Sequence, residues 1–269
     1  WADKMFLKPP TAKSQNPPLK PQYMIMCRAR TGSTLLSYAL GCHSELMGDG
    51  EIFNEGDFTK VNPMKAIFKL KTSEALQIKS QTRVDMRKYL DHFHGRLNGF
   101  KLLYGQWDEI PYLFDHLKDT RPHIKIIYLE RNVSHSVVSD WMARTRGLFH
   151  KYQAEDVPYP DAVNIPLDHV DWYFEKFANR QPFYRNQLSG LDSIEIHYED
   201  LIRQWDEACY QIESFLRIKS ELLPKITKKV LPEPENYVIN YNEVRERCDS
   251  LMRELYSPKL PESSGVKTD

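Results

Sequence analysis

The sequence predicts an α/β protein of three layers, with a central parallel β-sheet flanked by helices. Two observations carry this. Short apolar runs alternate along the chain with longer stretches of helical spacing, as strands covered on both faces and joined by crossover helices require. The composition, 41% hydrophobic and 12% aromatic over 269 residues, suits a packed core rather than disorder.

The elements follow in order. Pro9, Pro10, Pro17, Pro18 and Pro21 mark residues 1–22 as an extended arm. Residues 23–257 read as a single domain, and residues 258–269 as a flexible tail. Tyr23 to Cys27 is a short buried strand, and Gly32 to Leu40 starts a helix. Gly99 to Tyr104 is the second strand. Ile124 to Leu129 is the third, followed by a helix through Trp141 and Met142. Val170, Tyr173, Phe174 and Phe177 give helical spacing to the segment from Leu167 to Leu188. Ser193 to His197 is the fourth strand. Helices are expected at about Arg203 to Phe215 and Glu243 to Leu255. Residues 56–98 and 143–166 have weak periodicity and suit lids or helical insertions.

Charge narrows the partners. The chain carries 37 basic and 37 acidic side chains, for a formal net charge of zero. A general nucleic-acid or membrane-surface binder would be more basic, so an anionic ligand must be held by a local cluster. No apolar run approaches the ~20 residues of an integral membrane segment. Cys27, Cys42, Cys209 and Cys248 are scattered, with neither C-x-x-C nor metal-ligand spacing. They read as free thiols in a reducing, cytoplasmic setting. His92, His94, His116 and His123 have no convincing ligand spacing, so no metal is expected. The chain begins at Trp1, which leaves an upstream targeting segment open.

The chemistry concentrates in "MIMCRARTGSTLL", residues 24–36. An apolar strand runs into Arg28, Arg30, Thr31, Gly32, Ser33 and Thr34, and a helix follows. The helix N-terminus offers free N–H groups and the positive end of a dipole. Gly32 allows close backbone approach, the hydroxyls donate hydrogen bonds, and the arginines add charge. This is a phosphate-binding loop. It is not a Walker A loop, because G-x-x-x-x-G-K-[ST] is absent. An ordinary turn with surface arginines would look similar.

R-x-R-T-G-S-T-L at this place resembles the 5′-phosphosulfate loop of sulfotransferases that use 3′-phosphoadenosine 5′-phosphosulfate (PAPS). Its form is closest to bacterial carbohydrate sulfotransferases of the trehalose and nodulation-factor groups. Further elements match in order. In "YLERNVSHSVVSDW", residues 128–141, the resemblance implies that Arg131 and Ser139 grip the 3′-phosphate. In "IEIHYEDL", residues 194–201, it implies a Tyr-Glu-Asp-Leu stretch closing a strand, with Tyr198 near the adenine. "VINYNEVRERC", residues 238–248, is similar to the C-terminal segment of the trehalose group. It lacks the Arg-Lys-Gly cap of cytosolic relatives, and Arg245 or Arg247 are candidates to replace it. Together these imply a P-loop-like fold with PAPS as co-substrate.

Sulfuryl transfer needs a base for the acceptor proton and cations for the charge growing on the leaving group. The resemblance implies Glu51, in "GDGEIFNE", as the base, with Glu55 as fallback. A carboxylate near pKa ~4 is a weak base, so burial beside Ile52 and Phe53 would have to raise it. A structural ion-pair role for Glu51 stays open. His43 ranks below it. Arg30 stands where cytosolic relatives carry a leaving-group Lys, and Lys101 lies on the strand where glycan-type members often place one. Lys101 also suits an outward residue on an edge strand.

The expected acceptor is a hydroxyl of a carbohydrate or glycolipid. A small natural-product acceptor, a P-loop nucleotide kinase and a silent nucleotide-binding module are the alternatives. A homodimer is left open. The sequon Asn132-Val133-Ser134 reads as a chance tripeptide, and a glycan there, beside the implied 3′-phosphate site, would obstruct the cofactor, which disfavours the secretory pathway.

Overall fold

The computed structural model describes residues 21–46, 98–104, 106, 113–146, 162–225 and 233–257. Within these, four strands form one parallel sheet in the order β2-β1-β3-β4. The strands are β1 (Tyr23–Cys27), β2 (Gly99–Leu103), β3 (Lys125–Glu130) and β4 (Ser193–His197). Each lies where the apolar runs predicted it, to within one residue at either end. The helices are α1 (Ser33–Gly41), α2 (Leu113–Thr120), α3 (Val133–Arg146), α4 (Leu167–Tyr173), α5 (Gln181–Gln187), α6 (Tyr198–Arg203), α7 (Trp205–Leu216) and α8 (Tyr241–Tyr256).

Strand alternation distributes the core. Met24, Met26, Phe100, Leu102, Ile126 and Tyr128 pack on one side with α2 and with Tyr184 and Leu188. Tyr23, Ile25, Cys27, Ile127, Leu129 and Ile196 pack on the other with α1, α6 and α7. A third cluster joins Ala29, just past β1, to side chains of α3, α4 and α8. Gly99 is required by close packing: a Cβ there would fall 2.0 Å from the Tyr23 ring.

Two expectations are corrected. The segment from Leu167 to Leu188 is not one helix. After α4 the chain makes a π-helical turn, Phe174–Ala178, and α5 begins anew with Pro182 in its first turn. Proline lacks the N–H that a helix interior needs but is tolerated at a start. Tyr-Glu-Asp-Leu does not close a strand either. β4 ends at His197, and Tyr198 opens α6, whose first turn carries Glu199 and Asp200 as the helix dipole favours.

Strand order places the site. β1 has β2 on one side and β3 on the other, so chain connections leave these central strands in opposite directions. In open α/β sheets such a switch point opens a crevice at the carboxyl ends of the strands. The Arg28–Gly32 loop leaves β1 there and runs into α1, and Arg131 leaves β3 beside it, because Cys27 pairs with Leu129.

Candidate active site

The loop after β1 has a contorted backbone. Arg30 takes φ 64° and Gly32 φ 82°, both left-handed. Gly32 is obligatory for a second reason: a Cβ would stand 2.4 Å from Cδ2 and Cε2 of Tyr198. The first intrahelical bond of α1 runs from Leu35 N–H to Gly32 O at 3.0 Å. The amides of Ser33 and Thr34 precede it and have no acceptor within the helix.

Cations gather at this positive helix end. Lys101, 4% exposed, donates from Nζ to Thr34 Oγ1 at 3.1 Å, so it is not an outward edge residue. Strand parity turns it toward the face that α1 covers. Arg30 Nε donates to Ser139 Oγ at 3.4 Å. Arg131 Nη1 donates to Arg30 O at 2.7 Å, and its guanidinium lies 4.5 Å from the centre of the Tyr198 ring. Its Nε is buried without a hydrogen-bond partner among the described residues. Burial lowers the Arg30 pKa from its ordinary value; Asp140 opposes that shift and the Arg131 charge adds to it. Burial and mutual repulsion of cations at a helix N-terminus favour the arrival of an anion. The residues present therefore fit a phosphorylated ligand.

Arg28 departs from its expected place. It is 2% exposed and lies beneath the loop rather than in it. Its guanidinium pairs with Glu130 Oε2 at 2.9 Å, donates to Gln181 Oε1, and donates to Arg131 O at 2.7 Å. Thr31 is likewise turned inward, its Oγ1 donating to Arg28 O at 3.1 Å. Tyr198 is a wedge between Gly32 and Arg131, with its pKa raised by burial.

Glu51, Glu55, His92 and His94 lie outside the described residues. His43 is committed elsewhere. It is buried, Nε2 donates to Lys219 O at 2.8 Å, and Nδ1 accepts from Glu45 N–H at 3.0 Å. Arg247 donates to Asp171 Oδ1 at 2.7 Å on the surface between α8 and α4, and Arg245 is an exposed residue of α8. Asn132 serves α3 as a cap, its Oδ1 accepting from Ser134 Oγ at 2.7 Å and from His135 N–H at 3.3 Å. Ser134 Oγ also meets Tyr241 OH at 3.0 Å, which ties α8 to the start of α3. Nearby, His135, Glu233 and Glu235 bring potential ligand atoms within 4.8 Å of one another.

Residues 21–221 match the Sulfotransferase family model. The chain belongs to the sulfotransferase family. Nodulation protein H of Rhizobium tropici is 24% identical over 194 residues, which are 72% of this chain and 74% of that protein. Solved sulfotransferases are also similar. The mouse SULT7A1 complexed with PAP has a TM-score of 0.49 at 10% identity, covering 87% of this chain and 83% of that one. The sulfotransferase domain of the Synechococcus PCC 7002 olefin synthase has a TM-score of 0.48 at 18% identity, covering 96% and 93%.

Sequence reasoning on this sulfotransferase did not find Glu130, Gln181, Tyr173 and Asp140, which surround the loop. Tyr173 OH donates to Ala29 O at 2.7 Å, and Asp140 is buried behind Arg30. One signal was available for Glu130: it is the lone acid of β3, following the run Ile126–Leu129 and directly before Arg131.

Proposed function

We propose that the protein transfers the sulfuryl group of PAPS to a hydroxyl of a carbohydrate or glycolipid acceptor, in a cytoplasmic setting. The observation that carries the reading is the junction of the two strand-end loops, with Arg30 Nε 3.4 Å from Ser139 Oγ and Arg131 Nη1 2.7 Å from Arg30 O. It joins a 5′-side loop to a 3′-side arginine and serine, as a nucleotide phosphorylated at both positions needs. The likeness to Nodulation protein H accords with it.

In this reading the amides of Ser33 and Thr34 hold the 5′-phosphosulfate. Thr31 shapes the turn. Arg131 and Ser139 hold the 3′-phosphate, and Tyr198 orients Arg131. PAPS supplies an activated sulfuryl group. The acceptor oxygen bonds to sulfur as the bond from sulfur to the bridging phosphate oxygen breaks, and the acceptor proton passes to the Glu51 carboxylate. Arg30 and Lys101 stabilise the charge left on the departing 3′,5′-bisphosphate. Arg28 acts from below by positioning.

The test is transfer of labelled sulfate from PAPS to a panel of oligosaccharides, glycolipids and small phenolic or alcoholic natural products. A labelled product identifies the acceptor class. No labelled product from any panel member, with ATP and Mg²⁺ binding instead, overturns the reading in favour of a kinase. Glu51→Gln should lower kcat on the order of 10²–10⁴-fold while leaving binding of the bisphosphate product intact; unchanged turnover would remove Glu51 as the base.

A further inference from the structure

Beneath the phosphate loop lies a buried polar network that the transfer chemistry does not use. Glu130, at the end of β3, accepts from Arg185 Nη2 at 2.7 Å, from Gln181 Nε2 at 2.8 Å and from Tyr104 OH at 3.4 Å, and pairs with Arg28 at 2.9 Å. Gln181 closes the ring by accepting from Arg28. Burial opposes the charge of Arg185, but hydrogen bonds to Glu130 and Glu195 outweigh it and raise its pKa. These donors come from the residues just after β1 and β2 and from α5. They converge on one carboxylate.

The network reaches the site through a reciprocal clasp. Arg28, on the β1 loop, donates to the carbonyl of Arg131, on the β3 loop. Arg131 donates back to the carbonyl of Arg30. Each loop is thus tied to the other by an arginine, and the second tie holds the carbonyl of a non-glycine residue at φ 64°. Left-handed backbone at such a residue persists only where its surroundings enforce it.

We propose that Glu130, with Gln181, is a positioning residue that sets nucleotide specificity. It fixes Arg28, and Arg28 fixes the separation between the β1 loop and Arg131, so that phosphates at the 5′ and 3′ positions of one adenosine are gripped together. This rests on the sulfotransferase reading above. The physical reason is preorganisation. A ligand that spans both loops is bound more tightly when their spacing is set beforehand, whereas a ligand on one loop is indifferent to it.

The experiment is calorimetry of the full chain with adenosine 3′,5′-bisphosphate and with adenosine 5′-monophosphate. The wild-type protein, Glu130→Gln, Gln181→Ala and Ile212→Val are compared. Ile212 is buried in the opposite core, so its truncation loosens the fold away from the clasp. Glu130→Gln should reduce the preference for the bisphosphate by about tenfold, the worth of one charge-assisted hydrogen bond, with monophosphate affinity little changed. Gln181→Ala should shift the preference the same way by less, and it decides the matter if Glu130→Gln does not fold. Ile212→Val should lower the thermal midpoint and leave the preference alone.

The inference is overturned if Glu130→Gln and Gln181→Ala keep the wild-type preference, or if Ile212→Val shifts it equally. A wild-type protein that binds neither nucleotide overturns the sulfotransferase reading first and this inference with it. Wild-type bisphosphate preference that survives in the variants overturns this inference alone.

Discussion

Arg28 and Arg131 each stand one residue past a central strand, and those strands are hydrogen-bonded neighbours. Their surroundings differ. Arg28 is enclosed, its charge met by Glu130 at 2.9 Å. Arg131 is half-buried, stacked on Tyr198, and close enough to Arg30 for the two charges to repel. The difference teaches how a guanidinium becomes framework or ligand-binding group. A buried carboxylate beside it makes it framework. A ring face and a second cation do not neutralise it in that way, which suits the anion-binding role proposed for Arg131.

The comparison can be broken in several ways. The largest expected effect is on stability. Arg28→Met leaves the buried Glu130 carboxylate short of a partner and should cost about 3–5 kcal/mol in denaturant unfolding. A loss under about 1 kcal/mol, the range of a surface pair, would mean that Arg28 is no framework residue.

Arg131→Gln should act on the ligand instead. Affinity for adenosine 3′,5′-bisphosphate should fall by about 1.5–3 kcal/mol, the worth of a charged hydrogen bond, with a smaller change in stability. Equal losses of stability in the two arginine variants would erase the distinction between them.

Tyr198→Leu sharpens the same side. Removing the ring beneath Arg131 should weaken bisphosphate binding by about 1 kcal/mol, a cation–π contribution, read by calorimetry. It should also relieve the contact that forbids a Cβ at residue 32. Gly32→Ala should therefore be better tolerated in the Tyr198→Leu background than alone, although the strain of φ 82° remains.

The smallest effect concerns Asp140, the carboxylate behind Arg30. His169 Nε2 lies 3.6 Å from Asp140 Oδ2, with its ring between Trp141 and Trp172. Burial lowers the His169 pKa, Arg144 adds to the shift, and Asp140 opposes it. The unfolded chain then binds more protons than the folded one between that lowered value and about 6.5. This contribution to stability is complete above that upper limit and is lost as the pH falls through the window. His169→Gln should flatten part of the slope in thermal midpoint against pH. An unchanged slope would mean that His169 binds its proton equally well in the folded and unfolded chains.

β1, β2 and β3 were legible because each is a short, mostly apolar run buried almost throughout, and β4 because its two isoleucines alternate with exposed residues; local sequence carries both patterns. The Arg-Thr-Gly-Ser-Thr loop was legible because left-handed backbone and anion-binding groups restrict residue choice at a strand-to-helix turn. The break at α5 was less so: helical spacing from Val170 to Phe177 gives no warning of a π-helical turn, and Pro182 was the only local sign of a restart. The inward turn of Arg28 was illegible. Arg28 and Arg30 are two residues apart with the same side chain, and which of them pairs with Glu130 depends on a strand about 100 residues away in sequence.

By itself, then, the sequence determined the four strands, the loop that ends the first, and the order of the motifs, because backbone conformation and burial period are written locally. The tertiary structure alone decided the division of labour among Arg28, Arg30, Arg131 and Lys101. Charge is compensated through space, by Glu130, Tyr198 and the end of α1, and those neighbours exist only once the sheet has brought β1 and β3 together.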